Sequence, residues 1–412
     1  MLQLYNFSIR IYYALIFFAS VFGNSKAKLW IDGRKYIFAK LKSAINTSEE
    51  IIWFHVASLG EFEQALPLIE EVKSQFKNCK ILLTFFSPSG FEIKKNYRGA
   101  DYIFYLPLDT KSNARKFVEI VNPKFVIFVK YEFWYHYLNC LKNRKIPTYV
   151  VSAIFRKNQR FFKWYAGFFK KTLNSFNHIF VQNEISKNLL SSININQVSI
   201  AGDTRFDRVA KISEQSKKIT LVEKFKQNSQ IIIGGSSWQK EEEILINFIN
   251  QAETESKFII APHEIKKENI DRIFNSIKPK TIKFSEAGPE TINQFEVLII
   301  DNIGMLSSLY KYCEIAFIGG GFGVGIHNIL EAATFGLPVI FGPNYSKFQE
   351  ANELIQLKGA FPISNFEEFN GTVKNLIADK SMLEKTSRIS SAYVESKIGA
   401  TKIIIDFLLN EN

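Results

Sequence analysis

The chain has little cysteine and none of the common metal or dinucleotide motifs. Its 412 residues include only three cysteines, Cys79, Cys140 and Cys313, too far apart in sequence for a metal-ligand spacing and odd in number. The five histidines form no His-Glu-x-x-His pair, and no Asp-x-Asp occurs that could hold a divalent ion. These absences predict a reduced, cytosolic compartment, no resident metal and no cofactor.

The N-terminus lacks an uninterrupted apolar run of the roughly 20 residues that a spanning helix needs. Its run, IYYALIFFASVF at 11–22, is preceded by Arg10, Ser8 and Asn6. Three interpretations compete: a cleaved signal peptide, for which no small-x-small cleavage site is evident; a buried core helix; and a helix lying in or dipping into the membrane. The basic residues that follow favour the last, so we expect residues 1–45 to be a membrane-associated segment.

Acidic residues are missing from one long stretch of a basic chain. Lys and Arg number 52 against 40 Asp and Glu, a net charge of +12, and residues 1–45 hold seven bases but one acid. Residues 133–183 contain nine bases and no acid. Such a patch suits nucleic acid, phosphorylated substrates or anionic lipid, although a solvated basic face is the usual explanation. Because this segment is as rich in Phe as in Lys, we expect an anionic membrane surface and no nucleic acid as partner.

The chain also lacks an internal repeat and a long Pro/Gly/Ser linker, but short apolar runs alternate with helical patterns. This alternation predicts two α/β domains, each a doubly wound parallel sheet, facing each other across a cleft. We place them at 46–210 and 211–412, with room for the last helix to pack back on the first. The predicted strands are 51–56, 80–84, 102–105, 125–129, 148–151, 178–181, 198–201, 230–233, 258–261, 297–300, 315–318 and 339–341.

Two loops of the second domain suggest anion binding. The glycines of GGGFGVG (319–325) follow a strand and lead towards a helix, although no G-x-G-x-x-G can be read from them, which disfavours a dehydrogenase. Ser236 and Ser237 follow two glycines after the first strand of this domain. For each loop ordinary capping is the alternative: Asn328 with Glu331 as a capping box, and a Ser N-cap. A lone His263 after Pro262 is more often structural than catalytic.

The segment RFFKWYAGFFKK, residues 160–171, combines aromatic and basic side chains. Helical spacing would place Phe161, Phe162, Tyr165, Phe168 and Phe169 on one apolar face. A core helix with a solvated basic side is one interpretation. The other is a helix in the membrane interface that admits the acyl chains of a lipid, with Arg160, Lys163 and the rings as docking residues.

The stretch Ser58-Leu59-Gly60-Glu61 stands between a predicted strand and helix. It matches the capping box S-x-x-E, which on the residues alone is the simpler explanation of Glu61. A carboxylate at a helix N-terminus is, however, held ionised by the helix dipole and is ready to accept a proton. Gly60 leaves room for a hydroxyl to come close. Capping and proton transfer both remain open at this point.

Several motifs in one order resemble the Kdo transferases, which attach 3-deoxy-D-manno-octulosonic acid (Kdo) to a lipid A precursor. The resemblance covers nearly the whole chain and rests on WFHVASLGE (53–61), YEFW (131–134), AGDTRFD (201–207), APH (261–263), NIGML (302–306) and HNILEAATFGLPVIFGP (327–343). It implies a glycosyltransferase of the GT-B type that uses CMP-Kdo, inverts configuration and needs no metal. It also implies lipopolysaccharide biosynthesis at the cytoplasmic face of the bacterial inner membrane.

The resemblance also implies roles for particular residues. Glu61 would be the general base, with Glu132 and Arg205 assisting the transition state. The expected contacts to CMP are Pro262, His263, Ile303, Gly304, Met305, Asn328, Ile329, Leu330 and Glu331, with Ser236 and Ser237 as a phosphate loop.

The chain departs from the family pattern at several positions. Lys130 replaces the first Glu of an E-x-E stretch, Arg205 stands where Lys is common, and His263 stands where Arg is common. Two alternative functions stay open: another GT-B enzyme that uses a UDP-sugar and a lipid acceptor, and a membrane-docked nucleotide-binding protein without catalysis.

Overall fold

The computed structural model describes residues 1–163, 166–251 and 255–411. The chain divides into two compact units. Unit 1 comprises Met1–Arg208 with the C-terminal segment from Gly399, and unit 2 comprises Val209–Ile398. The change from unit 1 to unit 2 falls between Arg208 and Val209.

Unit 1 contains a parallel sheet of seven strands. The order across it is β3-β2-β1-β4-β5-β6-β7. Strand β1, IIWFHV, is buried along its whole length, as expected for a parallel sheet covered on both faces. The strands are β1 (Ile51–Val56), β2 (Lys80–Phe85), β3 (Tyr102–Tyr105), β4 (Phe125–Val129), β5 (Thr148–Ala153), β6 (His178–Val181) and β7 (Val198–Ile200).

Helices cover both faces of this sheet and precede it. Two apolar clusters, one on each face, form the core of the unit. The helices are α1 (Leu2–Val21), α2 (Ser25–Arg34), α3 (Ile37–Ala44), α4 (Leu59–Gln75), α5 (Pro88–Lys94), α6 (Lys111–Val121), α7 (Tyr135–Asn143), α8 (Gly167–Leu173) and α9 (Glu184–Ser191). Helix α10 (Thr204–Glu214) begins in unit 1 and ends in unit 2.

Unit 2 repeats the plan with a second parallel sheet of seven strands, ordered β10-β11-β9-β8-β12-β13-β14. Its strands are β8 (Ile231–Ser237), β9 (Lys257–Pro262), β10 (Thr281–Lys283), β11 (Val297–Ile299), β12 (Ile315–Ile318), β13 (Val339–Phe341) and β14 (Ala360–Pro362). Its helices are α11 (Thr220–Lys226), α12 (Gln239–Gln251), α13 (Lys267–Ser276), α14 (Leu306–Leu309), α15 (Leu330–Ala333), α16 (Gln349–Leu357), α17 (Phe366–Ala378) and α18 (Lys380–Glu395). Two parallel α/β sheets confirm the predicted fold class.

The last helix, α19 (Ala400–Glu411), belongs to unit 1. Its apolar residues Ile404, Ile405 and Leu408 are buried in one of the two core clusters of that unit. The carboxylate of Asp207 fixes the helix start by accepting hydrogen bonds from the backbone N–H groups of Gly399 (2.6 Å) and Thr401 (2.8 Å).

Helix α1 is longer than the apolar run in the sequence. It begins at Leu2, has 20 residues, and is long and apolar enough to cross a membrane by length and composition. Ile9 is its one fully buried residue. Two polar contacts attach it to unit 1: the Tyr5 hydroxyl donates to Asp109, and Asn6 Oδ1 lies 2.6 Å from His136 Nε2.

The helix predicted over 160–171 is wrong as a single element. Residues Arg160–Phe162 form a 3-10 turn, Lys163 has an extended backbone (φ −93°, ψ 157°), and α8 begins only at Gly167. Trp164 and Tyr165 lie outside the described residues. The apolar spacing is real, but Phe161 and Phe162 pack against the core cluster that includes Phe155, whereas Phe168 contacts Tyr5 of α1. Phe169 contacts both Phe161 (5.9 Å) and Phe168 (5.5 Å), so the rings remain in contact with one another although they do not share one helical face.

Candidate active site

In unit 1, the carboxyl ends of β1 and β4 lie side by side at the point where the strand order reverses. Strand β1 is flanked by β2 on one side and by β4 on the other. Ligands of doubly wound sheets bind at such a switch point. Glu61 follows β1 and Glu132 follows β4, so the topology brings two of the predicted catalytic residues to this edge.

Glu61 is both a helix cap and an accessible carboxylate. Its Oε2 accepts hydrogen bonds from the backbone N–H of Ser58 (3.1 Å) and from the Ser58 hydroxyl. The backbone N–H of Glu61 donates to the Ser58 side chain in return, which completes the capping box. Its Oε1 makes no hydrogen bond within the described ranges, and the side chain is only partly buried. A Cβ added at Gly60 would meet nothing nearer than the Ser58 Oγ at 3.9 Å, so space beside the carboxylate is open. One oxygen fixes the orientation and the other is left for a substrate.

Glu132 is held by two ring N–H groups. Its Oε2 lies 3.0 Å from His55 Nε2 and 2.7 Å from Trp134 Nε1. An ionised carboxylate can only accept, so His55 Nε2 carries the proton of this bond. On the other side of the ring, His55 Nδ1 lies 2.8 Å from the Thr84 Oγ1 on β2. The sequence interpretation missed His55; the signal available was a histidine inside an otherwise apolar strand that ends two residues before the Ser58–Glu61 box.

Arg205 is positioned by the buried carboxylate of Asp203. The guanidinium donates to Asp203 Oδ2 from Nε (3.0 Å) and Nη2 (2.8 Å), and Asp203 also accepts from Gln64 Nε2 on α4 (2.9 Å). Although burial on its own raises the pKa of the Asp203 carboxyl, the charge and hydrogen bonds of Arg205 hold that pKa below its ordinary value. The ion pair is thus anchored to the helix that carries Glu61.

The ring of Tyr131 lies among the charges of this edge. Burial raises the pKa of Tyr131; Arg156 opposes the rise, whereas the carboxylates of Glu61 and Asp203 add to it. These three charged side chains therefore influence the pKa of one phenol, which is 38% exposed. Tyr131 directly precedes Glu132 and was quoted in the motif YEFW, but was not assigned a role.

In unit 2, the predicted CMP contacts follow four neighbouring strands at one edge of the sheet. Residues 303–305 come after β11, Pro262 and His263 at the end of β9, Ser236 and Ser237 at the end of β8, and the glycine-rich loop after β12. The strand order reverses between β8 and β12. Parallel strands thus gather residues that are far apart in sequence at a second switch point.

Three aromatic side chains form a stacked cluster at this edge. The ring of Trp238 lies 4.4 Å from that of His263, and His263 lies 4.6 Å from His327, with the planes nearly parallel. Trp238 Nε1 donates to His327 Nε2 (2.9 Å), which leaves the remaining ring proton of a neutral His327 on Nδ1. Burial lowers the pKa of His327 to about 4, and His263 contributes to the decrease. Trp238 and His327 were not among the predicted site residues.

The segment 303–305 follows β11 and contains an exposed residue, and the preceding Asn302 has a buried oxygen without a hydrogen-bond donor among the described residues. Ile303 is 85% exposed, and Gly304 has a left-handed backbone (φ +93°) that favours glycine. Asn302 Oδ1 is buried without a hydrogen-bond partner among the described residues. A ligand with a donor group could satisfy it. The placement of 303–305 at a CMP site stays a prediction.

Asn328 and Glu331 contact each other at the start of α15. Asn328 Nδ2 donates to Glu331 Oε1 (3.1 Å), and Asn328 Oδ1 accepts from the Leu330 N–H (3.2 Å). The predicted cap is displaced by one residue, because Ile329 is the N-cap and makes no side-chain cap bond. The pair orders the turn that joins the glycine-rich loop to the helix.

Ser236 and Ser237 lie at the end of β8, not after it, because the strand continues through Gly234 and Gly235 to Ser237. Glu241 Oε2 accepts from the Trp238 N–H (3.3 Å), and its Oε1 accepts from the Phe322 N–H of the glycine-rich loop (3.1 Å). A buried carboxylate therefore occupies a position where we expected helix N–H groups to be available for a phosphate. A Cβ at Gly319 would lie 2.1 Å from the Ser236 carbonyl oxygen, so glycine is required where the two loops meet.

The residues predicted to dock at a membrane lie beside α1. A cavity of about 520 Å³ is lined by Arg160, Phe168 and Phe169 together with Met1, Leu4, Tyr5 and Ser8. Arg160 and Lys163 are exposed, whereas Phe161 and Phe162 are partly buried against the core. Their docking role stays a prediction.

Within residues 1–163, 166–251 and 255–411, no three His, Cys, Asp or Glu side chains are grouped so that they could share a metal ion. The cysteines in these ranges are all free thiols, and Cys313, deeply buried, has a pKa raised well above its ordinary value by that burial.

Solved structures with similar folds are found for most of the chain. UDP-GlcNAc 2-epimerase from Neisseria meningitidis superposes with a TM-score of 0.61 at 18% identity, covering 87% of this chain and 100% of that one. MurG from Acinetobacter baumannii gives a TM-score of 0.58 at 12% identity, covering 88% and 99%. At this identity the likeness concerns the fold alone, which is α/β of the GT-B type.

Sequence comparisons are more specific. The family model described as 3-Deoxy-D-manno-octulosonic-acid transferase (kdotransferase) matches residues 33–208. The 3-deoxy-D-manno-octulosonic acid transferase of Aquifex aeolicus (strain VF5) is 29% identical over 364 residues, covering 86% of this chain and 94% of that protein. The protein of the same name from Rickettsia prowazekii (strain Madrid E) is 27% identical over 404 residues, covering 94% and 85%. With a matching domain over residues 33–208 and relatives that align along most of its length, the chain is similar to the Kdo transferases.

Proposed function

We propose that this protein transfers Kdo from CMP-Kdo to a hydroxyl of a lipid A precursor, in lipopolysaccharide core biosynthesis. The observation that carries the proposal is the geometry of Glu61 in a chain similar to the Kdo transferases. One carboxylate oxygen is fixed by Ser58 and the other has no hydrogen bond in the described ranges, at the switch point of the sheet. Such a carboxylate is suited to act as a general base.

The reaction is a single displacement with inversion. Glu61 takes the proton of the acceptor hydroxyl while its oxygen forms a bond to C2 of Kdo. The bond between C2 and the CMP phosphate oxygen breaks, and its electron pair leaves with CMP. Glu132 and Arg205, oriented by His55 and Asp203, stabilise the charge that develops in the transition state.

The donor nucleotide binds at the switch point of unit 2. Pro262, His263 and the segments 303–305 and 328–331 supply the contacts to CMP. The orphan acceptor of Asn302 and the ring stack that includes His263 support this placement, because both offer contacts that a nucleotide can use.

The protein acts at the cytoplasmic face of the inner membrane. Helix α1 supplies the anchor, and the excess of bases in residues 1–45 favours an anionic leaflet. The residues around 160–169 dock beside α1. No metal takes part in this proposal, and the donor phosphate is neutralised by side chains and backbone N–H groups instead.

The test is mass analysis of the product formed from CMP-Kdo and a tetraacyl lipid A precursor, with and without EDTA. We expect a mass increase of one or more Kdo residues that EDTA does not prevent. Parallel incubations with UDP-sugars should give no product. Transfer from a UDP-sugar alone, or CMP binding without any turnover, would replace the proposal by one of the two alternatives.

A further inference from the structure

Unit 1 contains a second cavity that the proposed reaction does not use. It has a volume of about 560 Å³, within the range of small-molecule sites, and lies among α1, α2, α3 and the loop after β3. Its walls are mostly apolar or aromatic, including Tyr13 and Phe17 of α1, Ile37 and Phe38 of α3, and Leu108.

Arg34, the last residue of α2, places a positive charge in this wall. Its guanidinium donates to three backbone carbonyl groups, those of Leu106 (2.9 Å), Trp30 (3.1 Å) and Phe86 (2.7 Å). It makes no ion pair with a carboxylate within the described ranges, and two of its five N–H donors are unused there. Burial lowers the pKa of Arg34 to about 9, a sign that its charge is poorly solvated. A cation with spare donors in an apolar wall favours a ligand that is apolar at one end and carries oxygen at the other.

A continuous row of aromatic rings joins this cavity to the candidate active site. Glu132 accepts from Trp134, whose ring lies 4.6 Å from Phe86. Phe86 lies 5.8 Å from Trp30, and the Arg34 guanidinium lies 3.8 Å from the Trp30 ring. Phe86 and Leu106 directly follow β2 and β3, so the cavity opens at the same carboxyl edge of the sheet as Glu61. A single amphiphile could reach both places.

We propose that this cavity binds one acyl chain of the lipid acceptor, with an oxygen of its polar end at Arg34. The inference rests on the proposed function, since the same acceptor molecule presents its hydroxyl to Glu61. The cavity then positions the acceptor: an acyl chain bound against Tyr13 and Phe38 determines how far from it the sugar hydroxyl lies. Bulk phospholipid is the competing occupant, and the row of rings towards Glu132 is the reason for preferring the acceptor.

The first experiment fills the cavity. Ala39→Trp places a large ring at a residue that lines it, and Ala44→Trp is the matched control, an exposed alanine at the end of the same helix that does not line the cavity. We expect Ala39→Trp to raise KM for the tetraacyl acceptor at least about tenfold, because two displaced methylene contacts suffice for that change. KM for CMP-Kdo should stay within about twofold of wild type. Equal KM values for the two tryptophan variants would overturn the inference while wild-type transfer kept the proposed function intact; absence of transfer by wild type would be a failure of the proposed function itself.

The second experiment locates the chain directly. An acceptor with a photoreactive diazirine on one acyl chain is irradiated with the full-length enzyme, and labelled peptides are mapped by mass spectrometry. We expect label on residues 30–39, reduced by excess unlabelled acceptor and not by phosphatidylglycerol vesicles at the same lipid concentration. Label confined to α1 and residues 160–169, or equal competition by phosphatidylglycerol, would contradict the proposal.

Discussion

His55 and Glu132 form a buried pair across two neighbouring strands, with the imidazole Nε2 3.0 Å from the carboxylate Oε2. His55 lies on β1, the strand that leads to Glu61, and Glu132 follows β4. The pair therefore links β1, which leads to Glu61, with the segment after β4 that carries Glu132, at the switch point of the sheet. Trp134 Nε1 also donates to Glu132 Oε2, so two hydrogen bonds to this one oxygen fix the orientation of the carboxylate.

The pair predicts that His55 acts through Glu132. Glu132→Gln should lower kcat about 10²-fold, in the range found when one stabilising group is removed from a transition state. His55→Leu should lower kcat by a smaller factor, and the double variant should be no slower than Glu132→Gln alone. Steady-state kinetics with KM for CMP-Kdo as the internal control would decide, and two fully additive effects would show that His55 has a separate role.

We expect activity to depend on a positive charge at position 205 more than on the guanidinium group itself. Arg205→Lys keeps a cation beside Asp203 and should retain most activity, whereas Arg205→Ala should lower kcat about tenfold or more. Arg208→Ala, one turn further along the same helix, is the matched control and should change kcat little. Thermal unfolding of Arg205→Ala is measured beside its kcat. If the whole loss of activity is explained by a smaller folded fraction, Arg205 is only a structural partner of Asp203.

Glu331→Ala should weaken CMP binding more than it lowers the melting temperature without nucleotide. Its carboxylate accepts from Asn328, so the substitution also loosens the turn before α15. Asn375→Ala, on an amphipathic helix of the same unit, provides a comparison for a stability effect alone. Calorimetry with CMP is the measurement, and an unchanged affinity would return Asn328 and Glu331 to simple ordering of the turn.

Asp109 should make stability depend on pH between about 4 and 6. This carboxyl accepts hydrogen bonds from the Tyr5 hydroxyl and from the N–H of His136 (3.1 Å), while burial raises its pKa from 3.8 to about 6. A raised pKa means that its contribution to the free energy of unfolding is fully present below pH 4 and is lost as the pH rises through about 6. Asp109→Asn should flatten this part of the profile. Melting temperatures in detergent between pH 4 and pH 8 test it, and identical slopes in both proteins would contradict it.

The central strands could be predicted because their burial leaves a mark in the sequence. Strands β1, β4, β12 and β13 have the predicted bounds because each is a continuous apolar run that is buried along its whole length. Strands β3 and β6 also have the predicted bounds, although β3 is an edge strand whose first three residues are only partly buried. The two strands that were missed, β10 and β14, are the edges of the second sheet and have three residues each. An edge strand pairs on one side only, so TIK and AFP need no apolar run to form.

Sequence motifs identified candidate site residues, but not the side chains from other strands and helices that hold them in place. Spacing located Glu61 and its cap, but not the partners that come from other strands: Thr84 beside His55, and Gln64 beside Asp203. Those contacts depend on strand register and on how helices cross the sheet, which local patterns do not contain. The failure at 160–171 has a related cause, because the rings pack on Phe155 and Tyr5 and on one another around an extended Lys163, an arrangement that a helical period does not describe.

Glu61 is the proposed general base, and one pair of variants tests this role directly. Glu61→Gln keeps an oxygen that can accept from Ser58, so the fold and CMP affinity should be unchanged. Its kcat should fall by about 10²–10⁴-fold, the usual contribution of a general base. Glu63→Gln is the matched control: this carboxylate lies two residues on, next to Lys94 (3.6 Å) and Arg208 (3.7 Å). We predict that Glu63→Gln keeps near wild-type transfer while Glu61→Gln loses it; near-normal turnover by Glu61→Gln would show that Glu61 is only a cap.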